Sequence, residues 1–207
     1  MKKTDKTREQ ILHVAQHLFQ QFGFDKTSMD EIARVAHKAK RSIYYHFIDK
    51  EELFKAVIEK ELLTIQNELQ QIFEKTEQTP AERMKIYLIK RMELLAEAGA
   101  YQQILKLDIQ NNINLRFSKI ETIRRAFDEW EYGLFFTLSK KGVEDQLLNP
   151  DFNCEAFADM LQMILKSLDI SFFVQEKYMN YKNTFVTLIN IIIDNLIYNN
   201  NHKYSLS

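Results

Sequence analysis

Apolar residues return along this chain at steps of three and four and almost never at steps of two, the spacing of helices rather than strands. Ile11, Val14, Ala15, Leu18, Phe19 and Phe22 form one such stripe. Thr7, with Gln10 three positions on, has capping-box spacing and predicts its start, leaving residues 1–6 as a mobile arm; Gly23 predicts its end. Phe54, Val57, Ile58, Leu62, Ile65, Leu69, Ile72 and Phe73 predict a long helix from Lys50 to about Lys75, capped by Asp49 with Glu52. Thr79–Pro80–Ala81–Glu82 starts the next one, with a cap, a proline at the first helical position and a returning carboxylate; it runs to about Ala98 and ends near Gly99. Tyr101 to Asn112 reads as a further helix with a break at Asn111–Asn112. Phe117 to Lys141 carries Ile120, Ile123, Phe127, Trp130, Leu134 and Leu138 at helical spacing, with Gly142 as its stop. Asn149–Pro150–Asp151 is a turn. Beyond it come two more stripes, Phe157, Leu161, Ile164, Leu168, Phe172 and then Phe185, Leu188, Ile189, Ile192, Leu196. The polar, Asn-rich residues 199–207 are expected to fray. The pattern predicts an all-α chain of about nine helices.

One stretch breaks the rule that each helix offers a core-facing stripe. Thr27 to Leu53 reads as two short helices joined by a tight turn, with the long helix following at once. The first starts at Thr27 or Ser28, each with an acidic residue three positions on, and turns Ile32, Ala33 and Ala36 inward. The second, Lys40 to Phe47, has only Ile43 and Phe47 as clearly apolar residues among Lys40, Arg41, Ser42, Tyr44, Tyr45 and His46. Such a helix is poor core material and makes sense if one face meets a polyanion, since Lys and Arg form charge-assisted bonds to phosphate and Arg forks onto guanine edges in a DNA groove. Arg41 is the first choice for a base-edge contact. Lys40, Ser42 and Tyr45 are candidates for bases or phosphates. Thr27 and Ser28 can present hydroxyls and backbone amides to a phosphate. Phe47 belongs in the core.

Charge placement supports that reading. The formal net charge is −1, yet residues 1–50 hold ten Lys and Arg against six Asp and Glu. A basic first quarter on a mildly acidic remainder is what a nucleic-acid-facing end produces. Four glycines and two prolines suit long helices with few turns. Cys154 is alone, so no intramolecular disulfide forms, which fits a reducing cytoplasm. The basic start MKKTDKTREQ has no apolar run of signal-peptide type behind it. The greasiest stretch, Leu188 to Ile197, is interrupted by Asn190, Asp194 and Asn195, so no membrane span is expected.

The ordered set Arg41–Ser42–Ile43–Tyr44–Tyr45–His46–Phe47, then Lys50–Glu51–Glu52–Leu53, resembles the recognition-helix signature of TetR-family transcriptional repressors. The segments Thr7–Gly23 and Thr27–Ala33 match the rest of that family's DNA-binding domain. The resemblance covers about the first quarter of the chain. It implies a helix-turn-helix domain over residues 1–50 and a helical effector-binding and dimerisation domain over 51–207. It implies phosphate contacts for Tyr44, His46 and Lys50. The chain departs from the family at the turn, where His37–Lys38–Ala39 replaces Gly-Val-Ser. His can enter the left-handed region at some cost. The missing Ser removes a usual cap, and Lys38 can lay its stem on the core and its amine on a phosphate.

The resemblance also implies that the last two helices pair with their copy in a homodimer, binding a palindromic operator, and that a small-molecule effector releases the DNA. Taken alone, the two apolar stripes would serve equally as internal core. Richness in Met and Phe points to an apolar or aromatic effector. Tyr87, Met92, Tyr101, Phe117, Trp130, Phe157, Met160 and Met163 are suitable pocket types, although each serves as readily as plain core. His13 and His17 are four apart, but no third ligand stands near in sequence, so no metal is expected, and no other cofactor. A second reading keeps the same head but gives the body a protein partner instead of a metabolite. A third, a helical enzyme, finds no Ser/Cys–His–acid set, phosphate-binding glycine loop or metal-spaced cluster to support it.

Overall fold

The computed structural model describes residues 3–74, 78–110 and 119–196, and every regular element among them is helical. In order these are α1 (Lys3–Phe22), α2 (Met29–Val35), α3 (Lys40–His46), α4 (Lys50–Glu74), α5 (Pro80–Glu97), α6 (Gly99–Gln110), α7 (Lys119–Glu144), α8 (Cys154–Asp169), a π-helical turn (Ile170–Val174) and α9 (Tyr178–Leu196). The all-α expectation and the count of about nine helices hold among the described residues. The break expected at Asn111–Asn112, Phe117 and the tail 199–207 lie outside them.

The contacts divide the chain into two compact units, one of Met1–Ile65 with Glu97–Arg124 and the other of Gln66–Ala96 with Arg125–Ser207. In the first unit, Ile11, Leu12, Ala15, Leu18 and Phe19 of α1 pack with Ile32, Ala33 and Ala36 of α2, Ile43 and Phe47 of α3, and Leu53, Phe54 and Val57 of α4 as buried core. Phe19, Phe24 and Phe54 form an aromatic cluster with ring centroids 4.8–6.0 Å apart. Gly23 ends α1 as expected, at φ +86°, with its N–H donating to Phe19 O at 2.9 Å. Two details of α1 differ from expectation. It begins at Lys3, not Thr7, so residues 3–6 are helical. Phe22 is 44 % exposed while Leu12 is buried, because the core row is centred on Ile11–Ala15–Leu18 and passes Phe22 by at the frayed last turn.

The remaining caps follow the sequence closely. Asp49 accepts from Glu52 N at 2.7 Å, and Glu52 reaches back to Ile48 N at 2.6 Å. Thr79 and Glu82 close a second box around Pro80. Gly99 opens α6 instead of ending a gap, since Ala98 alone separates α5 from α6. The cause is a cap from outside the segment: the buried Glu61 carboxylate of α4 accepts from Ala100 N at 3.3 Å and Tyr101 N at 2.9 Å, meeting donors that open every helix. Gly142 also stays inside its helix, which continues to Glu144. Gln146 takes the left-handed conformation at φ +57°, and Leu147 N and Leu148 N both donate to Gly142 O.

The second unit is built on Leu69, Ile72, Met84, Tyr87, Leu88, Met92, Leu95, Phe127, Phe135 and Leu138, joined by Leu165, Phe172, Phe173, Tyr178, Phe185 and Ile189. The α8 stripe sits one residue off its expected register. Ala158, Leu165 and Asp169 are buried, whereas Phe157, Leu161 and Leu168 are half-buried and Ile164 is exposed. An apolar count skips the charged Asp169 that completes the row. The π-turn after it adds one residue to the helical winding, so that adjacent Phe172 and Phe173 are both buried. In α9, Phe185 and Ile189 are buried, while Leu188 and Ile192 of the expected stripe face outward.

A charged cluster lies at the heart of this unit. Arg91 is fully buried, with its guanidinium on Asp169 at 2.7 and 3.2 Å and on Glu131 through Nε and Nη2. Tyr87 donates its hydroxyl to Glu131 at 2.6 Å. Burial opposes the Arg91 charge, but Asp169 and Glu131 outweigh it and hold the group well above its ordinary pKa. Burial, then the Glu131 charge, pushes Tyr87 up well above the usual phenol range. The cluster ties α5, α7 and α8 together at one point.

Candidate nucleic-acid interface

Helix α2 starts where Ser28, in extended backbone, accepts from Glu31 N at 3.1 Å. Thr27 is the residue of the pair that turns inward. It is 1 % exposed, and its hydroxyl donates to Gly23 O at 2.8 Å and Leu18 O at 3.3 Å. Thr27 therefore fixes the approach of α2 to the end of α1, and Ser28 alone presents a hydroxyl at that helix start.

The unusual turn is built as its residues require. His37 sits at φ +52°, the left-handed conformation that glycine would take more cheaply. Lys38 N donates to Ala33 O at 2.9 Å and His37 N to Arg34 O at 3.2 Å, ending α2. Ala39 precedes α3 without a side-chain cap, the consequence of the missing Ser. The first turn of α3 thus keeps backbone donors that no side chain satisfies, next to Lys38, whose half-buried side chain has no partner among the described residues.

On α3, Ile43 is buried and Phe47 follows it into the core, as expected. Arg8 lies over the Phe47 ring at 5.2 Å. Everything else on the helix faces outward or sits at the edge. Arg41 and Tyr45 are one turn apart on one exposed face; Tyr45 is 77 % exposed, and among the described residues no ion pair or hydrogen bond holds the Arg41 side chain. Ser42 and His46 are half-buried, and the Tyr45 and His46 rings meet edge to face at 5.1 Å. Ile48, 78 % exposed just past the helix, was not among the sequence candidates. A solitary apolar residue in a connection carries no motif signal.

Besides Thr27, two candidates are engaged within the protein. Lys40 pairs with Asp30 at 2.7 Å, a hydrogen bond that raises the Lys40 pKa and ties α3 to α2. Its amine also lies 5.9 Å from the Tyr44 ring, which is itself 44 % exposed. Lys50 donates to Phe24 O at 2.9 Å and sits 4.2 Å from the Phe24 ring centre. Lys50 thereby anchors the start of α4 to the loop after α1. Of the ten candidates, Ser28, Lys38, Arg41, Ser42, Tyr44, Tyr45 and His46 have exposed or half-exposed side chains that bond to no other part of the fold, apart from Ser28's own cap.

Behind this surface, α6 is bound to α1 by Gln103, which donates to Phe19 O at 2.6 Å and accepts from Phe24 N at 3.0 Å. Gln16 of α1 donates to Glu61 at 3.1 Å. His13 and His17 are both exposed on α1, and no group of three or more potential metal ligands occurs among the described residues.

The model of the tetR family of bacterial regulatory proteins matches residues 11–57, the span of α1 to the start of α4. The transcriptional regulator AcrR of Shigella flexneri is 44 % identical over 57 residues, 28 % of this chain and 26 % of that protein. The transcriptional regulator QacR of Staphylococcus aureus is 32 % identical over 122 residues, 55 % of this chain and 62 % of that protein. The chain thus matches less than two thirds of the length of either relative. The structure of a TetR-family transcriptional regulator from Pectobacterium atrosepticum superimposes with a TM-score of 0.73 at 18 % identity, covering 96 % of this chain and 99 % of that one, which carries the shared fold through the body. Residues 11–57 thus carry the sequence of the tetR family's head, and the described chain shares the fold of a TetR-family regulator.

Proposed function

We propose that the protein is a ligand-responsive, sequence-specific DNA-binding regulator, acting in the cytoplasm as a repressor on a palindromic operator. The observation that carries this is the outer face of α3. Arg41 and Tyr45 stand exposed and unpaired on a helix whose other side is locked by Ile43, Phe47 and the Lys40–Asp30 pair. Arg41 reads a base edge, Tyr45 and Ser42 contact bases or phosphates, and Ser28, Lys38, Tyr44 and His46 position the head on the phosphate backbone. Lys40 and Lys50 reach phosphate only in exchange for their internal partners. In functional terms the head is residues 1–50 and the body 51–207.

The body dimerises through α8 and α9. Its support is the apolar surface those helices leave outward: Met160, Met163 and Ile164 on α8, Leu188, Ile191 and Ile192 on α9, with Met163 56 % exposed. A two-fold pair presents two heads to half-sites about 34 Å apart or a multiple of that. An effector that binds the body better in a state with the heads wrongly spaced lowers DNA affinity by its differential binding energy.

The test is a fluorescence-anisotropy titration against DNA selected from a random library, at two salt concentrations, beside Arg41→Ala. Arg41→Ala is expected to cost about 1–3 kcal/mol on the selected site and to relax preference at one base pair. Equal binding by the variant, or equal wild-type binding to scrambled DNA, sinks the assignment of α3 as the reading helix.

A further inference from the structure

The second unit holds a partly open apolar pocket with a cavity volume of about 50 Å³. Ala81 and Met84 at the start of α5, Leu138 near the end of α7, Leu147 and Leu148 of the following turn, and Phe157 of α8 make most of its wall. Among the described residues whose type suggested a pocket in the sequence, only Phe157 lines it. Tyr87 and Met92 are buried core, Trp130 is half-buried with its indole N–H on Gln70 at 3.1 Å, and Met160 and Met163 face outward.

The wall is built, not left over. Leu147 N and Leu148 N both donate to Gly142 O, at 2.8 and 3.0 Å, and Gln146 takes a left-handed conformation to let them. A Cβ at Gly142 would lie 2.9 Å from Leu148 Cδ1, so a side chain there would push the Leu148 side chain aside. Phe152 and Phe157 hold the next corner with their rings 5.3 Å apart.

The chemistry of the lining is one-sided. No lining residue carries a charge, and the lone polar side chain, Ser139, directs its hydroxyl proton to Phe135 O at 2.9 Å and Phe136 O at 3.0 Å of its own helix. An ion placed here would lose its hydration with no counter-charge and no free donor to replace it, a large cost, whereas an apolar body gains in proportion to the area it removes from water. We infer that this pocket is the effector site, and that it takes an uncharged apolar molecule, an aliphatic chain or a small arene, and rejects organic ions. The inference rests on the reading of the protein as a ligand-responsive regulator.

Binding is tested without DNA. The full chain is titrated with the neutral dye N-phenyl-1-naphthylamine, and 1-decanol, decanoate and decyltrimethylammonium compete for it. Saturable dye binding is expected, with decanol displacing the dye at concentrations at least about tenfold below either ion. Ala81→Trp, which fills the pocket, is expected to weaken dye binding by a similar factor, and Ser139→Ala to leave it unchanged. Leu147 is half-buried in the turn, so Leu147→Lys keeps the fold testable; it should shift the preference toward decanoate by about tenfold. No saturable binding, equal displacement by an ion, or no effect of either wall variant overturns the site. Operator anisotropy is then repeated with decanol. Release of DNA supports the effector role, and decanol bound with DNA retained overturns it. A chain that binds decanol but no selected DNA refutes the regulator reading and leaves the pocket standing.

Discussion

Helix α3 and the centre of the body treat charge in opposite ways. On α3, Arg41 stands outside with no partner, and its neighbours on that face are polar or aromatic. In the body, Arg91 is wholly inside and each of its three guanidinium nitrogens meets a carboxylate. An unpaired arginine in water costs the fold almost nothing and is available to a phosphate or a base. An unpaired arginine in the core would be ruinous, so there the partners come with it. One residue type therefore stands free for an outside partner in one place and serves architecture in the other, and exposure decides which.

The strongest way to break that contrast is to orphan the buried charges. Arg91→Met leaves Glu131 and Asp169 facing each other without a counter-charge, and should cost about 3–5 kcal/mol in urea unfolding. Replacing the whole set by Arg91→Met, Glu131→Leu, Asp169→Leu and Tyr87→Phe should recover most of the loss, because the gain from pairing is largely offset by the desolvation of the charges. A single Arg91→Met variant within ~1 kcal/mol of wild type would mean the cluster is solvated and not the core tie described here.

A second experiment separates the two roles within the head. Lys50→Ala removes a charged hydrogen bond to Phe24 O and a cation–π contact, and should destabilise the fold by about 1–2 kcal/mol. Lys38→Ala removes a side chain with no internal partner. It should leave stability unchanged, weaken DNA binding on all sequences alike, and lower the salt slope by about one. If Lys50→Ala unfolds like wild type and only its DNA affinity falls, Lys50 is a phosphate contact first and an anchor second.

The same contrast explains what could be read from the chain alone. The head was legible because its signals are local. Caps, a turn and a short helix with too few apolar residues all lie within Thr27–Leu53, and Ser28, Asp49, Gly23 and Phe47 do what their spacing announces. The ambiguity between Thr27 and Ser28 was settled by Leu18 O and Gly23 O, groups that spacing does not bring into view. The body cluster was not legible because its three charged members lie in three different helices. A trace exists in retrospect: Arg91 stands between Leu88 and Leu95, Glu131 between Phe127 and Phe135, and Asp169 four after Leu165, each in a slot where the row wants an apolar residue. Three charged residues in core slots, of opposite sign, are a signal for a buried network, but which helix meets which is not written in any one of them. Gly99 and Gly142 misled for a related reason. Glycine marks a helix end only when nothing else caps or crowds that point, and here Glu61 caps one and Leu148 crowds the other.

Gln103 carries a smaller effect. Its amide meets Phe19 O and Phe24 N together, so Gln103→Ala leaves a part-buried donor and acceptor to find water, at about 1 kcal/mol. Hydrogen exchange should show the loss first at Phe24 N and the residues that follow it, ahead of any change in α3. Uniform loss of protection along the chain would mean that Gln103 supports the fold as a whole, not this junction.

The smallest expected effect is a pH dependence at Glu61. Burial raises its pKa above 4.5, and the hydrogen bonds from Tyr101 N, Ala100 N and Gln16 only partly oppose it. A carboxyl whose folded pKa is raised binds its proton more tightly folded than unfolded. Its contribution is therefore most favourable below the unfolded value and is lost as pH rises from about 4.5 through the higher folded value. Glu61→Gln keeps an acceptor for the α6 amides but cannot titrate. The stability of wild type relative to Glu61→Gln should then be greatest in acid, decline as pH rises through that window, and level off toward neutrality. A difference that instead grows with pH would mean the α6 amides favour the carboxylate more than burial disfavours it, and Glu61 would then be a charged cap of the kind found on the exposed side of the head, carried inside.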